Sequence, residues 1–481
     1  MGQITQEEID KVDVVGRIGA LMLSSACAAS DIVYTSLKVA QKLGLRHVSA
    51  NLTYSHFQVS YRPPQSMSHT VVHTIGARRF DYGRQTRVKQ LAQEIIAERV
   101  DHVQAAHDLD WIQAYPGPYG KWAVHVFSGL TAAAAALLFG GNLLVLAMTF
   151  ISALVMDVLF GYCERRLGLP VFFLQALAGL IAVAAGVIAI QIDPGANASA
   201  VVIAVIMFML AGMTSTAAVN DAITGWHLTG VGRLAEAVVN TLGLVIGVRM
   251  GMLIAQAAGI DLVLSEQVRL VAFDGDAWRW LVACLLLGVS LAVYAQTPKR
   301  ALPLILVFTP FTYVVYAALL AVGVESTWAT AVGAVWAGLV GTVLSHVTTV
   351  TVDAFAVCAV LPLMPGSAIY RALWAMSEDT MVSIDYGLTA IVTALALAAG
   401  VTMGQYIGAG LLRRMDRTYA ALAPVFHKPY ASLKERRDRL RRRRHSTDQR
   451  MRGLRRPRWL QTAPRWTRRG RVDADDSTTR V

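Results

Sequence analysis

Charged residues and cysteines are scarce in this chain. Of its 481 residues, 55% are hydrophobic and only 16% are charged, which is typical of a polytopic membrane protein and not of a large soluble enzyme. Only four cysteines occur, widely separated and without the CxxC spacing of metal and redox sites: Cys27, Cys163, Cys284 and Cys358. We therefore expect buried free thiols and no disulfide framework.

Motifs for nucleotides, metals and secretion are also missing. Neither GxxxxGKS/T nor GxGxxG occurs, which argues against an ATP-driven pump in this single chain. Nothing in the sequence points to an enzyme or to a bound cofactor. The histidines near the N-terminus lack metal-ligand spacing, so no metal site is expected there: His47, His56, His69 and His73. The apolar run Ile18–Ala29 follows acidic residues, where a signal peptide would need basic ones, and it therefore indicates a helix of a soluble domain.

Basic residues are concentrated in the C-terminal tail. Residues 411–481 hold 22 of the 44 lysines and arginines but only 7 of the 32 acidic residues. Such a sequence can bind nucleic acid, but a tail tethered to a membrane meets anionic lipid first. We therefore predict a cytoplasmic, partly disordered tail that contacts anionic lipid, and we disfavour nucleic acid as a partner.

Residues 1–118 have the pattern of a small α+β domain. Helical spacing over residues 6–44 is followed by alternating residues from Val48 to Tyr61, which predict one strand with a slip after Tyr54. A second strand is predicted at His69–Ile75, and two helices at Gln85–Ala97 and His102–Gln113.

Residues 119–410 contain windows of about 20 apolar residues, the length that spans a bilayer. They predict ten membrane-spanning helices, near residues 122–140, 142–161, 170–190, 198–219, 233–256, 279–296, 301–322, 327–347, 350–370 and 386–410. The predicted fold is therefore mainly α-helical and polytopic. An even number of spans places both the N-terminal domain and the basic tail in the cytoplasm, and the acidic loop 258–278 outside, as the positive-inside rule requires. The expected location is the plasma membrane.

Two glycine patterns suggest an internal repeat. The fifth span carries Gly243, Gly247 and Gly251, and the tenth carries Gly400, Gly404 and Gly408. This GxxxGxxxG spacing lets a neighbouring helix approach closely. Five spans per half, 119–257 and 279–410, would make the halves inverted repeats, a frequent plan in secondary transporters. Chance spacing in glycine-rich membrane helices is the alternative.

The ninth span contains helix breakers. Its sequence Leu361-Pro362-Leu363-Met364-Pro365-Gly366 predicts a break in the helix between Pro362 and Gly366. Backbone groups freed at membrane depth need protein partners or a water-filled cavity, so a break indicates a transport site. A helix that simply ends at Pro365 is the alternative.

At Met213–Gly232 and Leu361–Leu373 the chain resembles the threonine/serine exporter family, and the resemblance extends over about residues 15–410. Leu361–Gly366 with Tyr370 is similar to the family's Pro-Gly motif. Thr214-Ser215, Asn220-Asp221, Gly225 and Arg233 are similar to the matching part of the first half. The first half lacks the Pro-Gly pair, so the sequence supports a broken helix only in the second half.

The resemblance implies an exporter of threonine, serine or similar small polar metabolites, driven by the proton-motive force. Arg78–Tyr82 also resembles the family's cytoplasmic domain. One departure is Cys27-Ala28-Ala29-Ser30 with Tyr34, where family members carry Gly-Ala-Ser-Thr and then an acid. Separate-chain relatives are associated with dicarboxylate export, which leaves the substrate open.

Ionisable residues within spans are costly and are therefore candidates for the path of substrate or protons. The candidates are Asp157, Asn220, Asp221, Arg249, Asp353, Pro365 and Gly366. Each polar one has a structural alternative: contact with interfacial water for Asp157 and Asp353, helix capping for Asn220 and Asp221, and snorkelling for Arg249.

The sequence therefore predicts a secondary active exporter that works by alternating access, with an amino acid and protons as its partners. A membrane receptor whose N-terminal domain binds a ligand, and a channel, are the rivals from other classes. Whether the protein forms a homo-oligomer is open.

Overall fold

The computed structural model describes residues 4–420, apart from 64–66, 77, 210–211, 261–276, 365 and 376–379. Residues 1–415 form one compact unit, and a second unit begins at Asp416. The fold described below is that of the first unit.

The N-terminal domain is α+β, as its sequence pattern predicts. Its helices are α1 (Gln6–Ser24), α2 (Ala29–Lys42), α3 (Tyr82–Ile96) and α4 (His102–Ala114), and its strands are β1 (Val48–Leu52), β2 (His56–Tyr61) and β3 (His69–Thr74). Helix α1 begins with a capping box between Thr5 and Glu8. The other helices and the sheet pack around it, which explains why the run Ile18–Ala29 is apolar yet belongs to this domain.

The prediction of a single strand over residues 48–61 is wrong. The segment forms two antiparallel strands, with Leu52 paired to Phe57 and Val48 paired to Tyr61. The amide of Thr53 donates to the carbonyl of His56 across 2.9 Å, which closes the tight turn between them. The slip in the alternation was therefore the hairpin turn, and β3 completes an antiparallel sheet in the order β1-β2-β3.

The described residues after 118 are mainly helical. The helices are α5 (Lys121–Leu138), α6 (Leu143–Leu167), α7 (Val171–Ile192), α8 (Ala198–Met209), α9 (Gly212–Ile223), α10 (His227–Ala257), α11 (Ala277–Tyr294), α12 (Leu302–Ala321), α13 (Ser326–Thr348), α14 (Val352–Val360), α15 (Gly366–Ala375) and α16 (Thr380–Ala420). Among the described residues, seven helices are long and apolar enough to cross a membrane: α5, α6, α7, α10, α12, α13 and α16. Three shorter apolar helices, Ala198–Met207, Trp278–Tyr294 and Val352–Leu363, coincide with the other three predicted spans.

The predicted break in the ninth span is confirmed. Helix α14 ends at Val360, a 3₁₀ turn spans Leu361–Leu363, and α15 begins at Gly366. Proline cannot continue the hydrogen-bond pattern of α14, which explains why the helix ends before Pro362. Pro365 itself lies outside the described residues.

The expectation that only the second half is broken stays a prediction. The predicted span 198–219 is helical on both sides of residues 210–211, in α8 up to Met209 and in α9 from Gly212. Residues 210–211 lie outside the described residues. Helix α8 packs on α15, and a Cβ added to Gly366 would lie 3.0 Å from Cγ of Met207. The segment after the break in the second half therefore packs on α8 of the first half.

The six glycines of the two patterns lie at helix contacts. On α10, Gly243, Gly247 and Gly251 face α7, and a Cβ on Gly251 would lie 2.8 Å from Cβ of Val183. On α16, Gly400, Gly404 and Gly408 face α13, and a Cβ on Gly408 would lie 2.9 Å from Cβ of Thr342. In each half, the fifth predicted span therefore packs on the third through a strip without side chains.

The N-terminal domain is hydrogen-bonded to the membrane helices along α3 and the segment before it. The amide of Tyr82 donates to the carbonyl of Ala295 across 3.0 Å. Farther along α3, Nε2 of Gln90 donates to the carbonyl of Thr349 across 3.0 Å. These contacts hold the domain against the loops that follow α11 and α13, next to the cavity described below.

Candidate functional site

One cavity brings the two halves and the N-terminal domain together. Its volume is ≈ 60 Å³, enough for several water molecules. The N-terminal domain contributes Ala26, Ala28, Phe80 and Tyr82, α9 contributes Thr216, Ala217 and Asn220, α14 contributes Asp353, Ala356, Val357 and Val360, and α16 contributes Leu397, Ala398, Val401, Thr402 and Gln405. Two residues predicted to carry transport, Asn220 and Asp353, therefore lie in the same cavity although 132 positions separate them.

Asp353 is the acidic residue of this cavity. It lies in the first turn of α14, where the helix dipole stabilises a negative charge. Its Oδ2 accepts a hydrogen bond from Nε2 of Gln85 on α3, across 2.8 Å. Gln85 is fully buried. The carboxylate is therefore held by a neutral amide from another domain, and a cation in the cavity would compete for the same oxygen.

Amide and hydroxyl groups line the cavity beside this carboxylate. Oγ1 of Thr402 donates to Oδ1 of Asn220 across 3.0 Å, which connects α16 of the second half to α9 of the first. Thr216 lies one turn before Asn220 on α9, and Gln405 lies one turn after Thr402. Donors and acceptors from both halves are thus close to one carboxylate.

Asp221 does not line the cavity. It is fully buried, and its Oδ2 lies 2.8 Å from Nη1 of Arg233 on α10, which is also buried. Its Oδ1 accepts a hydrogen bond from the amide of Ala29 across 2.8 Å, and Nη2 of Arg233 donates to the carbonyl of Cys27 across 2.9 Å. The ion pair therefore fixes the link between α1 and α2 against α9 and α10. It does not cap α10, whose N-cap residue is Trp226.

The thiol in this link is shielded from water. Cys27 is fully buried, and burial raises the pKa of its thiol to about 12. A protonated thiol is a poor nucleophile and a poor metal ligand. All four cysteines are buried and free, as the sequence predicts.

The tip of the β1–β2 hairpin also contacts α10. The ring of Tyr54 packs on Gly232, because a Cβ added to that glycine would lie 3.0 Å from Cδ2 of the ring. The guanidinium of Arg78 lies 4.2 Å from the centroid of the same ring. Burial, followed by the hydrogen bond to Glu236, raises the pKa of the Tyr54 phenol to about 12. The phenol is therefore neutral at physiological pH and can donate to the glutamate.

Two matches to known families cover most of the chain. The ThrE family model, which describes threonine/serine exporters, matches residues 13–255, and the ThrE_2 model, "Threonine/Serine exporter, ThrE", matches residues 281–407. The chain belongs to the threonine/serine exporter family. It is 30% identical over 421 residues to the probable threonine/serine exporter of Mycobacterium tuberculosis, covering 83% of this chain and 77% of that protein.

It is also 26% identical over 458 residues to the threonine/serine exporter of Corynebacterium glutamicum, covering 91% of each chain. No solved structure matches the chain. Membership in this exporter family, together with the seven long apolar helices, identifies a multi-pass membrane protein of a transporter family. The first match runs from within α1 to near the end of α10, and the second from within α11 into α16, so the cavity of this family member takes residues from both matched regions.

The other described residues that were predicted to lie on the path of substrate or protons are outside the cavity of this exporter-family chain. Asp157 on α6 pairs with His125 on α5, with 2.5 Å between Oδ2 and Nδ1. Arg249 is half-buried on α10, and buried Gly366 contacts Met207. None of these residues is part of the cavity lining. In the part of the chain that the structure describes, no three His, Cys, Asp or Glu residues are grouped to hold a metal ion.

Sequence reasoning missed several cavity residues of this family member. Gln85, which holds Asp353, is a polar residue in an amphipathic helix, and Thr402 is a hydroxyl in an apolar span. Neither had a signal in a single sequence. Phe80 and Tyr82 lie in the segment that resembles the family's cytoplasmic domain, but nothing in the pattern places them at a cavity of the membrane domain.

Proposed function

We propose that this protein is a secondary active exporter of threonine, serine or similar small polar amino acids, driven by the proton-motive force. The single observation that carries the proposal is the cavity in which Asp353 lies beside Asn220, Thr402 and Gln405, beneath the N-terminal domain. The names of the relatives from Mycobacterium tuberculosis and Corynebacterium glutamicum support the choice of substrate.

The lining matches the groups of a zwitterionic amino acid. The substrate ammonium would pair with Asp353 and displace the amide of Gln85, because the ammonium carries a full positive charge that adds Coulombic attraction to the carboxylate, which the neutral amide lacks. The carboxylate and hydroxyl of the substrate would use the amides and hydroxyls of Asn220, Thr402 and Gln405. The described lining residues include a carboxylate but no lysine or arginine, which disfavours a dicarboxylate as the substrate.

The proposed exporter crosses the membrane ten times, in two inverted halves. It works by alternating access. Support comes from the equivalent glycine contacts, α10 on α7 and α16 on α13, and from the interrupted ninth span, which approaches α8 of the first half where Gly366 lies next to Met207. Such interrupted helices surround the central sites of many secondary transporters. In this topology the two halves are residues 119–257 and 279–410, joined by an external loop at 258–278.

In this topology the protein lies in the plasma membrane, with residues 1–118 and the tail from residue 411 in the cytoplasm. The basic residues of the tail would then contact anionic lipid of the inner leaflet.

Protons require titratable groups inside the membrane domain. We assign this role to two sites. One is Asp353, where the substrate ammonium and a proton would compete for the carboxylate, and the other is the Asp157–His125 pair between α5 and α6. Asp221 acts indirectly in this account, because its ion pair with Arg233 holds the link that borders the cavity. Arg249 remains a candidate for the substrate carboxylate in a second conformation.

Efflux from proteoliposomes tests the proposal. Purified protein should release labelled threonine, and an imposed proton gradient should drive its accumulation uphill. Transport of succinate but not threonine would contradict the substrate class, and strictly downhill movement would indicate a channel. Binding of threonine without any transport would favour a receptor.

A further inference from the structure

We propose that the N-terminal domain forms the wall of the transport cavity that selects the side chain of the substrate, with Ala28 as its specificity-determining residue. This inference rests on the proposed function, because it assumes that the cavity holds the transported amino acid. It assigns to residues outside the membrane domain a direct contact with the substrate.

The chemistry of the cavity is divided between the two domains. The N-terminal domain contributes two methyl groups, from Ala26 and Ala28, and two aromatic rings, from Phe80 and Tyr82. The carboxylate, the amides and the aliphatic hydroxyls all come from α9, α14 and α16. A zwitterion whose charged groups and hydroxyl bind the membrane helices therefore presents the carbon atoms of its side chain to the N-terminal domain.

Ala28 is held in place on both sides. The carbonyl of Cys27, one residue before it, accepts from Nη2 of Arg233 across 2.9 Å. The amide of Ala29, one residue after it, donates to Oδ1 of Asp221 across 2.8 Å. Ala28 is also the N-cap residue of α2, in an extended conformation with φ −64° and ψ 142°. While the N-terminal domain is docked on the membrane helices, its methyl group is therefore a fixed part of the wall and does not retreat from a larger substrate.

A fixed methyl group in a small cavity limits the size of the substrate side chain. The cavity is small, with a volume of ≈ 60 Å³, and it therefore favours amino acids with short side chains, such as serine and threonine. Apolar walls discriminate between substrates that differ by one methyl group by about 10- to 200-fold. The substitution Ala28→Val adds two methyl groups to the wall and should therefore exclude threonine before serine.

The test is the ratio of threonine to serine efflux in proteoliposomes, measured as the initial rate divided by the Michaelis constant for each substrate. Ala28→Val should lower this ratio by about 10-fold or more. Ala97→Val, in the same domain at an exposed position, is the matched control and should leave the ratio unchanged. An Ala28→Val protein that loses threonine and serine efflux in equal proportion overturns the inference, because a structural defect does not distinguish the substrates.

A second variant covers the case in which Ala28→Val does not fold. Glycine is well tolerated at an N-cap, so Ala28→Gly should fold and open the wall. It should raise the efflux of 2-amino-3-hydroxypentanoate, one carbon longer than threonine, by about 10-fold relative to threonine. An unchanged ratio in Ala28→Gly overturns the inference. If the unaltered protein exports neither serine nor threonine, the proposed function itself is contradicted.

Discussion

Asp353 and Asp221 are carboxylates near the same cavity, but their surroundings give them different tasks. Asp353 lines the cavity and is held by a neutral amide, that of Gln85, at 2.8 Å. Asp221 is fully buried and already paired with Arg233. A substrate ammonium can replace an amide partner more readily than a buried guanidinium, so Asp353 is the residue that we expect to bind substrate.

Replacing Asp353 by asparagine should lower threonine efflux at least about 10-fold, because a charged hydrogen bond contributes roughly 1.5–3 kcal/mol. The fold should persist, since asparagine has the same shape and can still accept from Gln85. Initial rates in proteoliposomes and a thermal unfolding scan in detergent measure both properties. Asp10→Asn, at an exposed position of α1, is the control for charge, and efflux at the unaltered rate in Asp353→Asn would argue against this role.

The Asp221–Arg233 pair should behave as a buried ion pair. Arg233→Met leaves a carboxylate buried without its partner, which costs about 3–5 kcal/mol, and the midpoint of thermal unfolding should fall. Replacing both partners, Asp221→Asn with Arg233→Met, should recover part of the loss because no uncompensated charge remains. A double variant less stable than Arg233→Met alone would contradict this account.

At the scale of elements, the long apolar helices and the glycine contacts could be predicted from the sequence, because bilayer thickness fixes span length and close approach requires glycine. The proline-induced break after Val360 followed for the same local reason. The β1–β2 turn was missed because a hairpin turn and an irregularity within one strand shift the alternation of apolar and polar residues in the same way.

The cavity was predictable only in part. Asn220 and Asp353 stood out as polar residues near the ends of spans, and the structure brings both to one cavity. Gln85, Phe80 and Tyr82 reach it only through docking of the N-terminal domain on the membrane helices, which depends on contacts between residues far apart in the sequence. Local patterns carry no information on such contacts.

The glycine contact between α16 and α13 gives a prediction at this scale. A Cβ at Gly404 would lie 2.7 Å from the amide nitrogen of Leu339, so Gly404→Ala should separate the helices and lower the midpoint of thermal unfolding. Gly410→Ala lies on the same helix with open space around it and should be neutral or slightly stabilising, since alanine favours helix by about 1 kcal/mol. Equal effects of the two substitutions would rule out tight packing at Gly404.

For the whole molecule, the proposed transport through the cavity requires the N-terminal domain to move. Its residues form one wall of the cavity, so a substrate that arrives from that side passes only when the domain separates from the membrane helices. The contact of Gln90 with Thr349, 3.0 Å from Nε2 to the carbonyl oxygen, is a suitable point at which to lock the two together.

A cleavable cross-link between Gln90→Cys and Thr349→Cys, in a protein without native cysteines, should lower threonine efflux at least about 10-fold, as expected when a gating motion limits turnover. Cleavage of the link should restore efflux. The control joins Lys42→Cys to Glu98→Cys, whose native side chains lie 3.0 Å apart within the N-terminal domain, and should have no effect. Full efflux by the cross-linked Gln90–Thr349 protein would mean that the domain does not move.

Transport through the cavity requires the substrate to occupy the space between the halves, and protection of a thiol by substrate would show this occupancy. Thr402→Cys, again without native cysteines, introduces a thiol in the lining, while Met403→Cys introduces one on the exposed face of the same helix. We expect saturating threonine, but not succinate, to slow the reaction of a small membrane-permeant maleimide with the thiol at position 402. The reaction of the thiol at position 403 should be unchanged. The account is contradicted if threonine protects neither position while the same protein still exports it.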